Sequence, residues 1–214
     1  PCTAGWYQVT CTSGDVTSVQ LFANKLAGTI PSELGALSKI TSGFGLFSNS
    51  LTGSIPSELG TLSKIKSFFK LSGNYLSGSV PSELGGLSKM TNSFRLNSNF
   101  LTGSIPSELG AMTGMYDGFS CYSNQLCDDI PSEITALSAQ VTSGTWDITS
   151  GTSLGTPCYK FTGQYTALSS LYSSTSGSSW FTKTDWMSGD PCTAGGYRVT
   201  CDGGDVTGLW PSSN

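Results

Sequence analysis

The sequence contains no histidine and few charged residues. Of its 214 residues, 11% are Asp, Glu, Lys or Arg, well below the ~25% of ordinary soluble domains. The missing histidine removes the commonest general base and the usual partner of a serine or cysteine nucleophile. Acidic residues fall in a repeating row or near the chain ends rather than in one convergent pair, and no phosphate-binding glycine loop is present. We therefore expect no enzyme activity and no cofactor.

Long apolar runs and basic clusters are also missing. No run approaches the length of a membrane span, and a net charge of -4 provides no basic patch for nucleic acid or an anionic membrane. Without histidine and without a Cys-x-x-Cys pair, we expect no metal site. Seven cysteines in a chain rich in Gly, Ser and Thr favour disulfides and an extracellular or cell-surface location. The weakly charged polar surface suits a secreted, glycosylated protein.

The sequence does contain a repeat with a period of 25 residues. An Ile-Pro or Val-Pro pair marks each period, at Ile30, Ile55, Val80, Ile105 and Ile130. Such a period is typical of a solenoid, in which neighbouring turns stack and share one core. The run Phe-x-Leu-x-x-Asn predicts one strand per turn, and these strands would lie side by side in a parallel sheet.

Two columns of identical residues follow from the same period. An asparagine ladder is predicted to bond backbone groups at the bend of each turn, through Asn24, Asn49, Asn74, Asn99 and Asn124. A glycine column at Gly28, Gly53, Gly78 and Gly103 predicts close approach of the next turn. Asp128 takes the glycine position in the last full turn, and we expect regular stacking to loosen there.

The run Leu51-Thr-Gly-Ser-Ile-Pro-Ser-Glu-Leu-Gly60 and its counterparts resemble the leucine-rich repeat of plant receptor and polygalacturonase-inhibitor ectodomains, over roughly Val16 to Leu137. This resemblance implies an α/β solenoid: a right-handed superhelix with a parallel β-sheet on its concave face and short 3-10 or irregular convex segments. Compared with the plant pattern, this chain has one extra residue between Ile40 and Phe44 and at the same place in later turns. This variant resembles the repeats of microalgal or protist surface proteins.

The two ends of the chain carry one segment twice. Pro1 to Asn24 reads PCTAGWYQVTCTSGDVTSVQLFAN and Pro191 to Asn214 reads PCTAGGYRVTCDGGDVTGLWPSSN. Both resemble the second half of the family's N-terminal cap. The predicted organisation is a half cap with the first repeat strand (1–24), the repeat solenoid (25–139), a C-terminal edge and linker (140–164), and the cap of a following block (165–214).

By the same resemblance, Cys2 is expected to pair with Cys11, and Cys192 with Cys201. Of the other three cysteines, Cys121 takes an inward leucine position and Cys127 an outer one. Cys127 is therefore better placed to pair with Cys158, and a Cys121–Cys127 bridge is the alternative.

The duplicated cap favours a structural function. It predicts a non-catalytic extracellular scaffold, one unit of a covalent tandem array or of a head-to-tail fibre of docked copies, although a two-block or truncated protein would look the same. The alternative is recognition of a peptide, protein or glycan on the concave face, through Phe22, Phe47, Lys70, Arg95, Asn97 and Tyr122.

A minor alternative is ice binding. The segments Thr52-Gly-Ser54, Ser77-Gly-Ser79 and Thr102-Gly-Ser104 predict a double column of hydroxyls spaced ~4.8 Å from turn to turn. The same hydroxyls are potential glycan attachment points.

Overall fold

The computed structural model describes Cys2, residues 7–155, Cys158, and the backbone of residues 199–202 and 205–209. The chain forms two compact units, Pro1–Pro157 and Cys158–Asn214. The first unit contains the repeats.

Each turn of the first unit consists of a strand, a second short strand and a short helix. The strands are β1 (Val9–Thr12), β2 (Asp15–Gln20), β3 (Ala27–Thr29), β4 (Gly43–Gly45), β5 (Ser50–Gly53), β6 (Ser67–Lys70), β7 (Tyr75–Ser79), β8 (Asn92–Arg95), β9 (Phe100–Gly103), β10 (Asp117–Ser120), β11 (Gln125–Leu126) and β12 (Ser143–Asp147). The 3-10 helices span Ser32–Ala36, Ser57–Thr61, Ser82–Gly86 and Ser107–Ala111, and α1 (Ser132–Ser138) takes their place in the last turn.

Seven strands form the large sheet, in the order β1-β2-β4-β6-β8-β10-β12. The pairing of β1 with β2 is antiparallel, and every later pairing is parallel. Equivalent residues of successive turns lie opposite each other, as Phe44 does to Phe69 and Phe69 to Phe94. The predicted solenoid with a parallel sheet and short 3-10 turns is confirmed.

Three successive turns contain a left-handed residue at the same position of the large sheet. Phe68, Ser93 and Gly118 have φ angles of 59°, 57° and 65°, in the left-handed region. The pairing of β6 with β8 passes from Ser67–Asn92 to Phe69–Phe94, so Phe68 and Ser93 are both skipped. The register of the two strands is therefore the same before and after this position.

A column of stacked rings lies beneath the large sheet. Phe44, Phe69, Phe94 and Phe119 are completely buried. Neighbouring ring centroids are 5.8, 5.5 and 5.1 Å apart. Each ring therefore packs against the turns before and after it, which couples the turns to one another.

Five strands form a small sheet, in the order β11-β9-β7-β5-β3. The sequence analysis did not predict this second sheet as a separate element. Its pairing is staggered, because Thr52 lies opposite Tyr75 and Ser77 opposite Phe100. Residues one full repeat apart are therefore not direct neighbours in this sheet.

The asparagine ladder connects successive turns. The Oδ1 atom of Asn99 accepts a hydrogen bond from the backbone N–H of Leu76 at 3.1 Å, and its Nδ2 donates to the carbonyls of Leu71 and Leu96, both at 3.0 Å. Asn74 and Asn124 make the equivalent bonds and are buried as well. The first member, Asn24, is exposed and donates to Gln8 and to Phe22.

The glycine column has a different cause from the predicted one. Gly28 and Gly103 have φ angles of 88° and 77°, and the space around a Cβ added at Gly28 is empty. These glycines therefore provide left-handed backbone rather than close approach, and at Gly53 the close neighbour of an added Cβ would be the Thr29 side chain, not the backbone of another turn. Asp128 adopts the same conformation, with φ 68°, and β11 is only two residues long.

Close approach instead requires the glycine that ends each Ser-Glu-Leu-Gly run. A Cβ on Gly85 would lie 2.5 Å from the backbone oxygen of Glu108 in the next turn. A Cβ on Gly60 would overlap the backbone oxygen of Glu83 in the same way.

The C-terminal edge of the first unit continues the solenoid. Strand β12 pairs in parallel with β10, and the Trp146 ring extends the aromatic column, 5.1 Å from Phe119. Ile148 is buried, and Leu154 packs against the core. The regular sheet thus extends past residue 139, where the sequence predicted the solenoid to end, because Trp146 supplies the ring that the phenylalanine motif supplies elsewhere. Phe161 lies outside the described residues.

The structure describes the side chains of five of the seven cysteines. Cys2 and Cys11 form a disulfide, and Cys127 and Cys158 are each disulfide-bonded. Cys121 is a free, buried thiol, and burial raises its pKa to about 12. The alternative Cys121–Cys127 bridge is therefore wrong. The expected Cys192–Cys201 pair lies outside the described side chains.

In the second unit, β13 (Val199–Asp202) and β14 (Asp205–Leu209) form an antiparallel hairpin. Its register, with Cys201 opposite Val206, reproduces that of β1 and β2, where Cys11 lies opposite Val16. Both hairpins have their register shift just before the cysteine.

Candidate functional site

The outward face of the large sheet carries the residues that the sequence suggested for ligand binding. Because the strands are in register, side chains at equivalent positions form straight columns on this face. One column runs through Gln20, Gly45, Lys70, Arg95 and Ser120, and the next through Phe22, Phe47, Ser72, Asn97 and Tyr122. Glycine at the second position of the first column leaves room for large neighbours, and the Gln20 side chain lies over Gly43 and Gly45.

Three of the predicted residues form one cluster. The rings of Phe22 and Phe47 stack with centroids 4.7 Å apart and an interplanar angle of 11°. The Nζ atom of Lys70 lies 5.7 Å above the centroid of Phe47, within cation–π range. Phe47 is therefore enclosed between a ring and an ammonium group.

Phe68 belongs to the same cluster, although the sequence analysis did not select it. Its ring centroid is 4.7 Å from Nζ of Lys70, and its side chain is 43% exposed. It occupies the left-handed position, which Ser93 and Gly118 fill in the next two turns. The available signal was this phenylalanine at a position that otherwise holds small residues.

Lys70 and Arg95 bring two positive charges together. They lie directly opposite each other on β6 and β8, an arrangement that is destabilising without a counter-ion. Burial lowers the pKa of Lys70, the Arg95 guanidinium lowers that pKa further, and Asp117 opposes both effects more weakly. The Asp117 carboxylate itself occupies the space that a Cβ on Gly144 would take.

Arg95 also has an unused hydrogen-bond donor. Its Nε is buried and finds no acceptor within the described residues. The guanidinium extends over the next strand, where a Cβ on Gly118 would be 3.7 Å from one of its terminal nitrogens. The Lys70 and Arg95 side chains thus point apart, towards opposite neighbours.

Asn97 is a correction to the predicted ligand set. It is only 9% exposed, and both ends of its amide are engaged. Oδ1 accepts a hydrogen bond from the Ser120 hydroxyl at 3.0 Å, and Nδ2 donates to the Ser98 hydroxyl at 3.2 Å. The Asn97 amide is therefore used in hydrogen bonds within the protein, whereas Tyr122 is half-buried on the outward face.

The hydroxyl columns proposed for ice binding lie on the small sheet. The stagger places aromatic residues, Tyr75 and Phe100, directly opposite Thr52 and Ser77, so the predicted in-register ladder is wrong. These two rings stack with centroids 6.1 Å apart. The hydroxyl of Thr52 is also used internally, because it donates to the Gly28 carbonyl at 3.3 Å.

The described residues contain neither a metal-binding cluster nor a helix suited to a membrane. No group of three or more His, Cys, Asp and Glu side chains in this part of the chain has an arrangement suited to a metal ion. Among its helices, none has the length and apolar character needed to cross a membrane.

Comparison with known proteins places these features in a family. The family model for the leucine-rich repeat matches residues 67–87. The TDR receptor is 33% identical with a TM-score of 0.56, over 64% of this chain and 22% of the receptor. This chain thus spans about a fifth of that receptor. No curated protein matches the sequence.

Two further solved structures are informative. The BIR3–SERK2 complex from Arabidopsis thaliana contains a chain that is 30% identical, with a TM-score of 0.58, over 72% of this chain and 82% of that one. A plant ice-binding protein is 29% identical with a TM-score of 0.59, over 71% of this chain and 47% of that one. Together with the repeated strands and 3-10 turns, these matches show that the chain belongs to the plant-type leucine-rich repeat family.

Proposed function

We propose that this chain is a non-catalytic, extracellular recognition module that binds a peptide or protein segment on the outward face of its large sheet. One observation carries the proposal: the contiguous cluster of Phe22, Phe47, Phe68 and Lys70, which exposes aromatic surface beside a cation. Aromatic and cationic side chains are the groups that dominate binding energy at protein interfaces.

The strained conformation of Phe68 supports this proposal. A bulky residue at positive φ is an outlier, and such residues concentrate at ligand-binding positions. Phe68 is also 43% exposed, so burial does not account for its ring. The BIR3–SERK2 relative adds indirect support, since that leucine-rich-repeat structure is a complex of proteins.

The test compares two stacked aromatic pairs of the described residues, one on each sheet. Peptides are selected from a random phage-displayed dodecapeptide library on the wild-type protein. Binding is then measured to a large-sheet variant, Phe22→Ser with Phe47→Ser, and to a matched small-sheet variant, Tyr75→Ser with Phe100→Ser. We expect the first variant to lose binding at least about tenfold and the second to retain it.

The opposite pattern would move the ligand face to the small sheet. A library that yields no specific binder would remove recognition of linear peptides as the function. Thermal unfolding of both variants checks that each remains folded.

A second candidate is the repeating scaffold unit, either covalent in a tandem array or docked head-to-tail. What favours it is the second hairpin, whose register and bulge match those of the hairpin that begins the large sheet. Electron microscopy of native material, together with its mass under reducing and denaturing conditions, tests this candidate. Filaments with a repeat of one capped block would support it, whereas dispersed particles of one block would exclude it.

Ice binding is not chosen, because the stagger of the small sheet interrupts the hydroxyl array with Tyr75 and Phe100.

A further inference from the structure

The like-charged pair on the large sheet indicates what kind of group the ligand carries. Lys70 and Arg95 lie directly opposite each other, on a chain whose net charge is -4. An acidic side chain close to both cations would offset their repulsion. Asp117 lies on the neighbouring strand β10, but its carboxylate packs against Gly144 on β12. In the described part of the chain, Asp117 is thus only a weak counter-charge for Lys70, because it raises the pKa of that side chain less than burial and Arg95 lower it.

The unused donor of Arg95 is a second, separate observation. A buried N–H without an acceptor is costly, and the Nε of Arg95 is in this state among the described residues. An ionised carboxylate accepts two parallel hydrogen bonds from a guanidinium, and Nε supplies one donor of such a pair. A carboxylate is thus the group that satisfies both the charge and the donor.

The surrounding rings decide between a peptide and a sugar. Phe47 has Phe22 stacked at 4.7 Å and Lys70 above its ring at 5.7 Å, and Lys70 also lies over Phe68 at 4.7 Å. A sugar ring binds aromatic residues by lying flat on an open face, and these contacts occupy the faces of Phe47. Phe22 and Phe68 remain partly exposed, and such rings suit an aliphatic or aromatic side chain, for which edge-to-face packing is favourable.

We propose that the ligand is an acidic peptide segment whose carboxylate bridges Lys70 and Arg95 while a neighbouring apolar side chain packs against Phe47 and Phe68. The bound carboxylate draws the two cationic side chains, which point apart in the free protein, towards a common centre. This inference rests on the recognition function proposed above and specifies the chemistry of its ligand.

The experiment uses the peptides selected from the random dodecapeptide library. The tightest one is synthesised with each Asp and Glu replaced in turn by Asn and Gln, and its affinity is measured by isothermal titration calorimetry. We expect one such replacement to weaken binding about 10- to 100-fold, as for loss of a charge-assisted hydrogen bond. Because the change is made in the peptide, folding of the protein is not affected.

Protein variants then locate the carboxylate. Lys70→Gln and Arg95→Gln should each weaken the parent peptide about tenfold or more but have little further effect on the Asn or Gln peptide, which identifies the pair by a double-mutant cycle. Lys64→Gln and Lys89→Gln remove the same charge from the helical side of the repeat, and they should change the affinity less than about twofold, as expected for distant exposed charges.

Three results would overturn the inference. Selected peptides that depend on Phe47 but not on an acidic residue would do so while leaving the recognition function intact. A galacturonic acid oligosaccharide that binds more tightly than the peptides, with the same dependence on Lys70 and Arg95, would make the ligand a glycan. If no selected peptide depends on the large-sheet face, the inference and the proposed function both fail.

Discussion

The two sheets of the repeat unit are built from the same 25-residue period but differ in register. In the large sheet, equivalent residues lie opposite each other, as Lys70 does to Arg95. In the small sheet, the pairing is displaced, so that Thr52 lies opposite Tyr75. A column in the sequence is therefore a column in space on only one of the two faces.

This difference shows why one surface hypothesis fits the structure and the other does not. The aromatic and cationic positions were derived as columns on the large sheet, and the structure brings Phe22, Phe47 and Lys70 together there. The hydroxyl ladder was derived in the same way from the repeat period, but its residues lie on the small sheet, where the stagger breaks it. Register depends on backbone geometry between turns, which a sequence period does not contain.

The largest expected effect on stability comes from removing a buried ring beneath the large sheet, in comparison with removing a ring from the small sheet. Phe94→Ala removes a fully buried ring that stacks on both neighbours, and we expect a loss of about 3–5 kcal/mol in the free energy of unfolding. Phe100→Ala removes a partly exposed ring from the small sheet and should cost about 1 kcal/mol. Urea denaturation measures both. Similar losses for the two variants would contradict the idea that stacking beneath the large sheet dominates stability.

Two glycine-to-alanine substitutions test whether contact between turns or backbone conformation limits how closely successive turns stack. Gly85→Ala places a Cβ 2.5 Å from the Glu108 carbonyl oxygen, and we expect a cost of about 1–3 kcal/mol from overpacking. Gly103→Ala, in the small sheet, meets only the Ser79 Cβ at 3.9 Å but requires φ near 77°. That strain should cost about 1 kcal/mol. A larger loss for Gly103→Ala would mean that backbone conformation, not contact between turns, limits stacking.

Phe68→Gly should separate stability from binding on the large sheet. Glycine adopts the φ of 59° seen at this position without the left-handed penalty, so the free energy of unfolding should stay level or rise by up to about 1 kcal/mol. Peptide affinity should fall, because the ring beside Lys70 is lost. Urea denaturation measures the change in unfolding free energy, and isothermal titration calorimetry on the same preparation measures the change in peptide affinity. A variant that is clearly less stable would show that Phe68 is a packing residue.

The smallest effect concerns the pH dependence contributed by Lys70. Burial, then Arg95, lower its folded-state pKa below the ordinary 10.5, against a smaller opposing effect of Asp117. The unfolded chain therefore binds more protons between the lowered value and 10.5, and folding stability should rise as pH increases through that window. The difference in unfolding free energy between wild type and Lys70→Gln isolates this contribution, which solvent screening keeps small. A difference that decreases with pH would have the wrong sign.

Much of the fold was predictable because its signals are local and repeated. The Phe-x-Leu-x-x-Asn run recurs with fixed spacing, so the strand, the inward leucines and the asparagine positions followed from one pattern. The left-handed conformation of Phe68 did not follow, since an extra residue in a repeat does not reveal which backbone angle accommodates it. Trp146 lies outside the repeating run, and its stacking on Phe119 became evident only with the strand that carries it.

The candidate site was only partly predictable for a similar reason. Phe22, Phe47, Lys70 and Arg95 were selected from their alternation around the inward leucine. Asn97 was selected by the same alternation, yet it is buried because Ser120 and Ser98 satisfy its amide. Alternation identifies the side of the sheet on which a residue lies, but not how neighbouring strands cover it.

The sequence by itself determined a plant-type leucine-rich-repeat solenoid, because a strict period with fixed apolar positions leaves stacked turns as the way to bury each turn's apolar face. Tertiary structure alone decided the register of the two sheets, the left-handed backbone at the exposed Phe68, and the opposition of Lys70 and Arg95. These depend on the relative position of atoms in successive turns, which is fixed only when the backbone hydrogen bonds and the ring column form together.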